Sequence, residues 1–292
     1  MTVTLEDPAT RPARTSRPPR FTLTRRVGFM LAVAWIALLT LLALVADLLP
    51  IPAIDEPVGG PSIPPFSGEG PLLGTDAIGR DIASRLIHGV RISLAVGVGA
   101  TAIAVVVGVL LGLLAAYTRG AVERIINVLT DTVLSFPPLL LLLALATVVT
   151  PGVPTLVIAL GFLFVPPFVR LTRAAALSQL GRDYITAARS LGAGHARILF
   201  RELLPNSIQP IISYSVVVVA LIIVIEGSLS FLGVGVPAPA PSWGSMIASG
   251  KDNLTRAPYL VIAPSLMIFL TVFAFNTIGD HLRRRIATGG ES

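Results

Sequence analysis

The sequence contains no cysteine. Disulfide bridges, thiolate metal ligands and a cysteine nucleophile are thereby excluded. Charge is scarce: Asp, Glu, Lys and Arg make up 13% of the 292 residues, where a soluble domain carries about a quarter. Lysine occurs once, as Lys251, so a phosphate-binding loop of the form G-x-x-x-x-G-K-[ST] has a single possible place. In "SMIASGKDN", Ser245 stands where the first glycine belongs and Asp252 where a hydroxyl would hold magnesium. The chain cannot bind ATP in that manner. Histidine is confined to His88, His195 and His281, none at metal-ligand spacing. Neither H-E-x-x-H nor G-x-S-x-G occurs, and no two carboxylates share a predicted membrane face. An enzyme working within the membrane is therefore disfavoured. No internal repeat is visible, which argues weakly against a gradient-driven secondary transporter with related halves. Such a transporter would also want coupling-ion carboxylates near the midplane, and Glu226 alone qualifies.

What is abundant is apolar sequence. Hydrophobic residues make up 53% of the chain, and the mean hydropathy is +0.82. Runs of about 20 apolar residues predict transmembrane helices. Six are read, near 27–49, 92–117, 132–150, 153–169, 208–232 and 258–279. The fold class expected is an all-α integral membrane protein of six transmembrane helices. The expected divisions are a disordered cytoplasmic tail at 1–26, a first transmembrane helix at 27–49 and an outer loop with an amphipathic helix at 50–91. A five-span core at 92–285 holds a loop at 182–206, and a cytoplasmic tail at 286–292 follows. The first 26 residues are rich in Pro, Thr and Arg and bury no core. The apolar run after them is too long for a signal peptide and lacks a convincing cleavage site, so a retained span is expected. With the N-terminus inside, 17 of the 22 basic residues fall on the inner side. The positive-inside rule then places both termini in the cytoplasm.

That orientation puts "YITAARSLGAG" (184–194) in the cytoplasm, between spans four and five. It is too short and too polar to cross a bilayer. Tyr184, Ala187, Ala188 and Leu191 follow i, i+3, i+4, i+7 spacing and predict one face of a short helix, flat where the alanines lie. Gly192 and Gly194 permit a sharp turn. A second short helix is expected through "HARILFRELL", ended or kinked by Pro205. A connector lying on lipid headgroups would have the same composition.

Other polar positions have structural readings. Thr75 or Asp76 can cap a helix carrying an apolar stripe of Ile78, Ile82 and Leu86, with Asp81 and Arg85 as an i,i+4 pair. Glu226 lies near the outer end of span five, where a carboxylate costs about 2.5–3.5 kcal/mol at a helix centre and so needs a polar cavity, a partner or the interface. Asn276 and Asp280 sit one turn apart at the inner end of span six, and Asp280 can pair with Arg283 or Arg284. Asp131 is placed at the positive end of span three as a cap. Gly108 and Gly112 suit close helix packing. Pro137–Pro138 and Pro166–Pro167 imply bends.

Several stretches carry a resemblance. "AA" at 187–188, then Gly192, then "LP" at 204–205, resembles the EAA loop of ABC-importer permeases. Thr186 stands where that family's glutamate is usual. "LGTDAIGRDIASRLIHGVRISL" (73–94), "EGSLSFLGVGVPAPAPSWGSM" (226–246) and "AFNTIGDHLRRR" (274–285) resemble segments of the C-type permeases of dipeptide and oligopeptide importers, a family that includes nickel-importer permeases. The resemblance covers roughly 73–285. It implies a non-catalytic permease subunit of an ATP-driven peptide importer in the bacterial plasma (inner) membrane; nickel-chelate and haem importers share this permease type. It implies ATPase coupling by Tyr184, Thr186, Ala187, Ala188, Leu191, Gly192, Leu204 and Pro205. Glu226, Ser230 and Asn276 become candidates for the translocation pathway. It further implies no cofactor or metal on this chain, with ATP and Mg on partner subunits. The partners implied are a second permease, two ATPase subunits and an extracytoplasmic substrate-binding protein, with no nucleic acid. The 73–94 segment would then serve as an outer brace or as a docking surface for the binding protein.

Overall fold

The computed structural model describes residues 22–289, so most of the tail expected at 1–26, and the last three residues, lie outside the described residues. The described chain is built of helices: α1 (Thr22–Val45), α2 (Ile82–Thr118), α3 (Gly120–Leu134), α4 (Pro138–Ala146), α5 (Val153–Leu163), α6 (Val165–Leu180), α7 (Asp183–Ser190), α8 (His195–Arg197), α9 (Leu204–Phe231), α10 (Trp243–Gly250) and α11 (Tyr259–Gly289). Helices satisfy every backbone donor and acceptor within one segment, which a lipid environment demands. Five of the described segments are long and apolar enough to cross a membrane, or six if the bent pair α3–α4 counts as one span.

Several boundaries differ from the sequence expectation. The amphipathic helix expected in the outer loop is the beginning of α2, which runs unbroken for 37 residues. Asp81 caps it, its carboxylate accepting from the Ala83 and Ser84 amides at 3.1 and 3.2 Å. Thr75 and Asp76 do not cap it: the Thr75 hydroxyl donates to Gly60 O, and Asp76 closes its own turn on the Ile78 and Arg80 amides. Nor do Asp81 and Arg85 pair, because the cap occupies Asp81; Arg85 reaches Asp76 at 3.7 Å and Ile54 O at 2.8 Å. Asp131 lies in the last turn of α3, away from the positive end, and pairs with Arg170 at 2.6 Å.

The third span, expected at 132–150, starts instead at Gly120 if α3 and α4 count as one, and these two helices meet at 81°, broken where Pro137 and Pro138 withhold amide donors. Pro166 and Pro167, by contrast, fall in the first turn of α6, where a missing donor is harmless, and Val153–Leu180 reads as one span. At the far end α11 continues to Gly289, through most of the tail expected at 286–292.

α2 is the central post. α5, α6 and α9 pack around it through a core that includes Val96, Ala100, Leu160, Phe168 and Ile222. Small residues set the spacing. A Cβ on Gly112 would stand 2.7 Å from Thr172 Cβ and 2.8 Å from Val169 O. A second core joins α1, α10 and α11 to the other side of α2 and α9, with Trp243 at its centre. The Trp243 indole donates to Leu86 O of α2 at 3.2 Å, and that of Trp35 on α1 to Thr271 on α11, also at 3.2 Å.

Candidate functional site

Polar side chains gather at two ends of the bundle. At one end α2 finishes, and α7 lies across the surface beside it. α7 has the charge order a helix dipole favours, Asp183 in its first turn and Arg189 in its last. One residue anchors it: Ile185 is fully buried, in the same core as Ile198 and Leu203. Tyr184 and Ala188 lean the same way and are half-buried. The Tyr184 hydroxyl donates to Gln179 Oε1 at 3.1 Å, and burial pushes its phenol above the ordinary value, so it stays a neutral donor. The outward face is Asp183, Thr186, Ala187, Ser190 and Leu191, at i, i+3, i+4, i+7, i+8 spacing. The expected face of Tyr184, Ala187, Ala188 and Leu191 is therefore split, with Ala187 and Leu191 outward and Tyr184 and Ala188 inward. Leu191 is 88% exposed, an apolar side chain left uncovered among the described residues.

The helix ends in a Schellman motif: the Ala193 amide donates to Ala188 O and the Gly192 amide to Arg189 O, both at 3.0 Å. Gly192 takes φ +79° there with no atom near its missing Cβ, so glycine serves the backbone conformation rather than close packing. After the turn, α8 leads through a π-helical segment, Ile198–Leu203, directly into α9. Pro205, expected to end or kink this helix, does not end it. It lies in the first turn of α9, and the Leu204 amide reaches back five residues to Leu199 O, so the wider π turn absorbs the missing donor.

At the opposite end, Glu226 of α9 is 1% exposed. Ser230 donates to its Oε1 at 2.8 Å and Ser93 of α2 to its Oε2 at 3.3 Å. Ser242 donates to the Ser230 hydroxyl at 3.2 Å, while its own hydroxyl and amide form a reciprocal cap with Ser245 at the start of α10. The carboxylate thus ties α9 to α2 directly and to the start of α10 through Ser230, and it is closed off in this conformation, as is Ser230. Asn276 belongs elsewhere. It is exposed on α11 with its amide turned back to Val272 O. α11 starts beside the end of α10, where Leu260 meets Gly250, and Asn276 lies about 25 Å further along at 1.5 Å per residue. Sequence reading overlooked Ser93 and Ser242, though S-x-x-S ahead of an apolar turn was a signal for the cap. It also overlooked a contact between Tyr117 and His195.

Lys251 offers no phosphate cradle. It follows the C-terminal end of α10, and its ammonium lies 5.3 Å from the Phe231 ring centroid. A phosphate site needs the opposite end of a helix.

Residues 108–288 match the family described as binding-protein-dependent transport system inner membrane component. The chain is 44% identical over 212 residues to the di/tripeptide transport system permease protein DppC of Pseudomonas aeruginosa (strain UCBPP-PA14), covering 73% of this chain and 70% of that protein. It is 42% identical over 211 residues to the glutathione transport system permease protein GsiD of Pectobacterium atrosepticum, covering 72% and 70%. Over 261 residues it is 34% identical to the dipeptide transport system permease protein DppC of Haemophilus influenzae, covering 88% of each. Among solved structures, a chain of the MetNI methionine ABC transporter in an inward-facing conformation superposes with a TM-score of 0.54 at 18% identity, covering 68% of this chain and 96% of that one.

Proposed function

The chain belongs to the inner-membrane component family of binding-protein-dependent transport systems, and from that membership we infer that it is the permease subunit of an ATP-driven importer of small peptides. It works as half of a translocation pathway, with a second permease as the other half. Two ATPase subunits dock beneath it and hold the ATP and magnesium. A substrate-binding protein delivers from outside. Both termini and α7 lie in the cytoplasm, as the arginine distribution favours. The chain itself breaks no bond. It passes ATP-driven closure of its partners to the spans, which then expose the pathway to one side or the other.

The observation that carries this reading is α7. A short helix, with Ile185 as its one fully buried side chain and Thr186, Ala187 and Leu191 left bare, is built to be covered by another protein. Gly192 shapes the turn behind it, while Leu204 and Pro205 mark where the loop joins α9. Peptides are favoured as cargo because the relatives named above are di/tripeptide, dipeptide and glutathione permeases.

The test is uptake into cells lacking this chain, with and without a plasmid copy, for a labelled dipeptide, a labelled longer peptide, glutathione and nickel. Chain-dependent uptake of a peptide is expected. Dependence of nickel uptake alone would keep the coupling role and overturn the peptide assignment.

A further inference from the structure

We propose that Tyr117 is a positioning residue for energy coupling, clamping both limbs of the α7 turn to the end of α2 so that displacement of α7 moves α2 as well as α9. The inference rests on the permease reading given above. Covalently, α7 connects to α6 on one side and, through Gly192–Gly194, to α8 and α9 on the other. Nothing in the chain path links it to α2, the central post.

The side chains of one cluster make that link. The Tyr117 hydroxyl and His195 Nδ1 share a hydrogen bond, and the two rings meet edge to face with centroids 5.4 Å apart at 72°. The Arg189 guanidinium lies 5.8 Å from the centroid of the same Tyr117 ring, within reach of a cation–π attraction. Arg189 precedes the Gly192 turn and His195 follows it. A glycine turn in open space has no side chain to stiffen it; Ile185 and Ile198 hold its two limbs in one buried core with Ala116 of α2, and a second tie on the exposed side fixes the angle between them. Tyr117 touches one residue of each.

The experiment uses the purified complex with its ATPase subunits in proteoliposomes, measuring labelled dipeptide uptake and phosphate release together. In Tyr117→Ala, uptake per ATP hydrolysed should fall by about fivefold or more, the low end of coupling between sites. Tyr117→Phe should fall less, losing the hydrogen bond alone, and His195→Leu should fall less as well, losing the hydrogen bond and the ring contact but keeping Arg189 on the Tyr117 ring. His195→Asn, whose amide can reach the phenol from the Nδ1 position, should restore the ratio. A second readout uses the absence of cysteine: nitroxide labels on cysteines introduced at the exposed positions Thr118 and Ser190. Their separation should be the same with and without bound nucleotide, and should broaden in Tyr117→Ala. Wild-type uptake per ATP in Tyr117→Phe and His195→Leu would overturn the proposal. So would an equal fall in uptake and hydrolysis, or a nucleotide-dependent change in the separation with Tyr117 in place. An unaltered complex with no ATP-dependent uptake would instead sink the permease reading beneath it.

Discussion

A carboxylate among apolar helices persists only where donors surround it, and Glu226 has Ser93 and Ser230 within hydrogen-bond reach. Glu226→Ala should leave both hydroxyls without their acceptor, at a cost of about 1–3 kcal/mol. Glu226→Gln should cost less, because the amide oxygen still accepts from one serine. Thermal unfolding midpoints in detergent should rank wild type above Gln above Ala. The Gln variant should transport with an unchanged KM, since the carboxylate faces no open path here. A raised KM with an unchanged midpoint would make Glu226 a substrate contact instead. The need for partners was legible from the depth of this residue in an apolar run, but their identity was not. Ser93 is 133 positions away, and no local pattern ties it to α9.

Helix packing shows the same division. Gly108 and Gly112, four apart, announce close approach, and Gly112 does press on Thr172 and Val169 of α6. Gly112→Ala should therefore lower the thermal midpoint, a Cβ at 2.7 Å from Thr172 Cβ being tighter than packing allows. Gly28→Ala, in α1 with nothing within 4 Å of the new Cβ, should raise it slightly, by up to about 1 kcal/mol of helix propensity. A midpoint shift of one sign for both would remove packing as the cause. Element ends were less legible than their existence. The outer amphipathic helix and the second span fuse into α2 because nothing near residue 91 breaks the helix; apolar periodicity changes there while the backbone does not. Pro137–Pro138 signals a bend, but not its 81°, nor that α3 is tied to α6 through the pairs Glu123–Arg173 and Asp131–Arg170. In α7 the outward face was misread by one position, since two alanines look like a surface while the lone Ile185 decides the rotation.

For the whole molecule, the arginine asymmetry makes orientation a prediction that labelling can check. A cysteine replacing Ser67, exposed in the loop between α1 and α2, should react with a membrane-impermeant maleimide in intact cells. One replacing Ser190 should react only after permeabilisation. The reverse pattern would invert the topology. The broad plan was readable because lipid leaves helices as the solution for apolar runs; what the plan attaches to at each end required the structure. α2 shows why both ends matter. Its 37 residues span about 55 Å, against a hydrocarbon layer of about 30 Å. Trp243 grips it near the beginning and Tyr117 lies near its end. Between them, Gly108 and Gly112 bear on α6, much nearer Tyr117 than Ile82. At 1.5 Å per residue the arms from a fulcrum midway between the two glycines are about 42 Å to Ile82 and 10 Å to Tyr117. Such a lever is of unequal throw, and a rigid α2 rocking there turns a displacement of 1 Å at Tyr117 into roughly 4 Å at Ile82. A motion too small to open anything at the α7 end is then large enough to shift the cap at Asp81 by the width of a side chain.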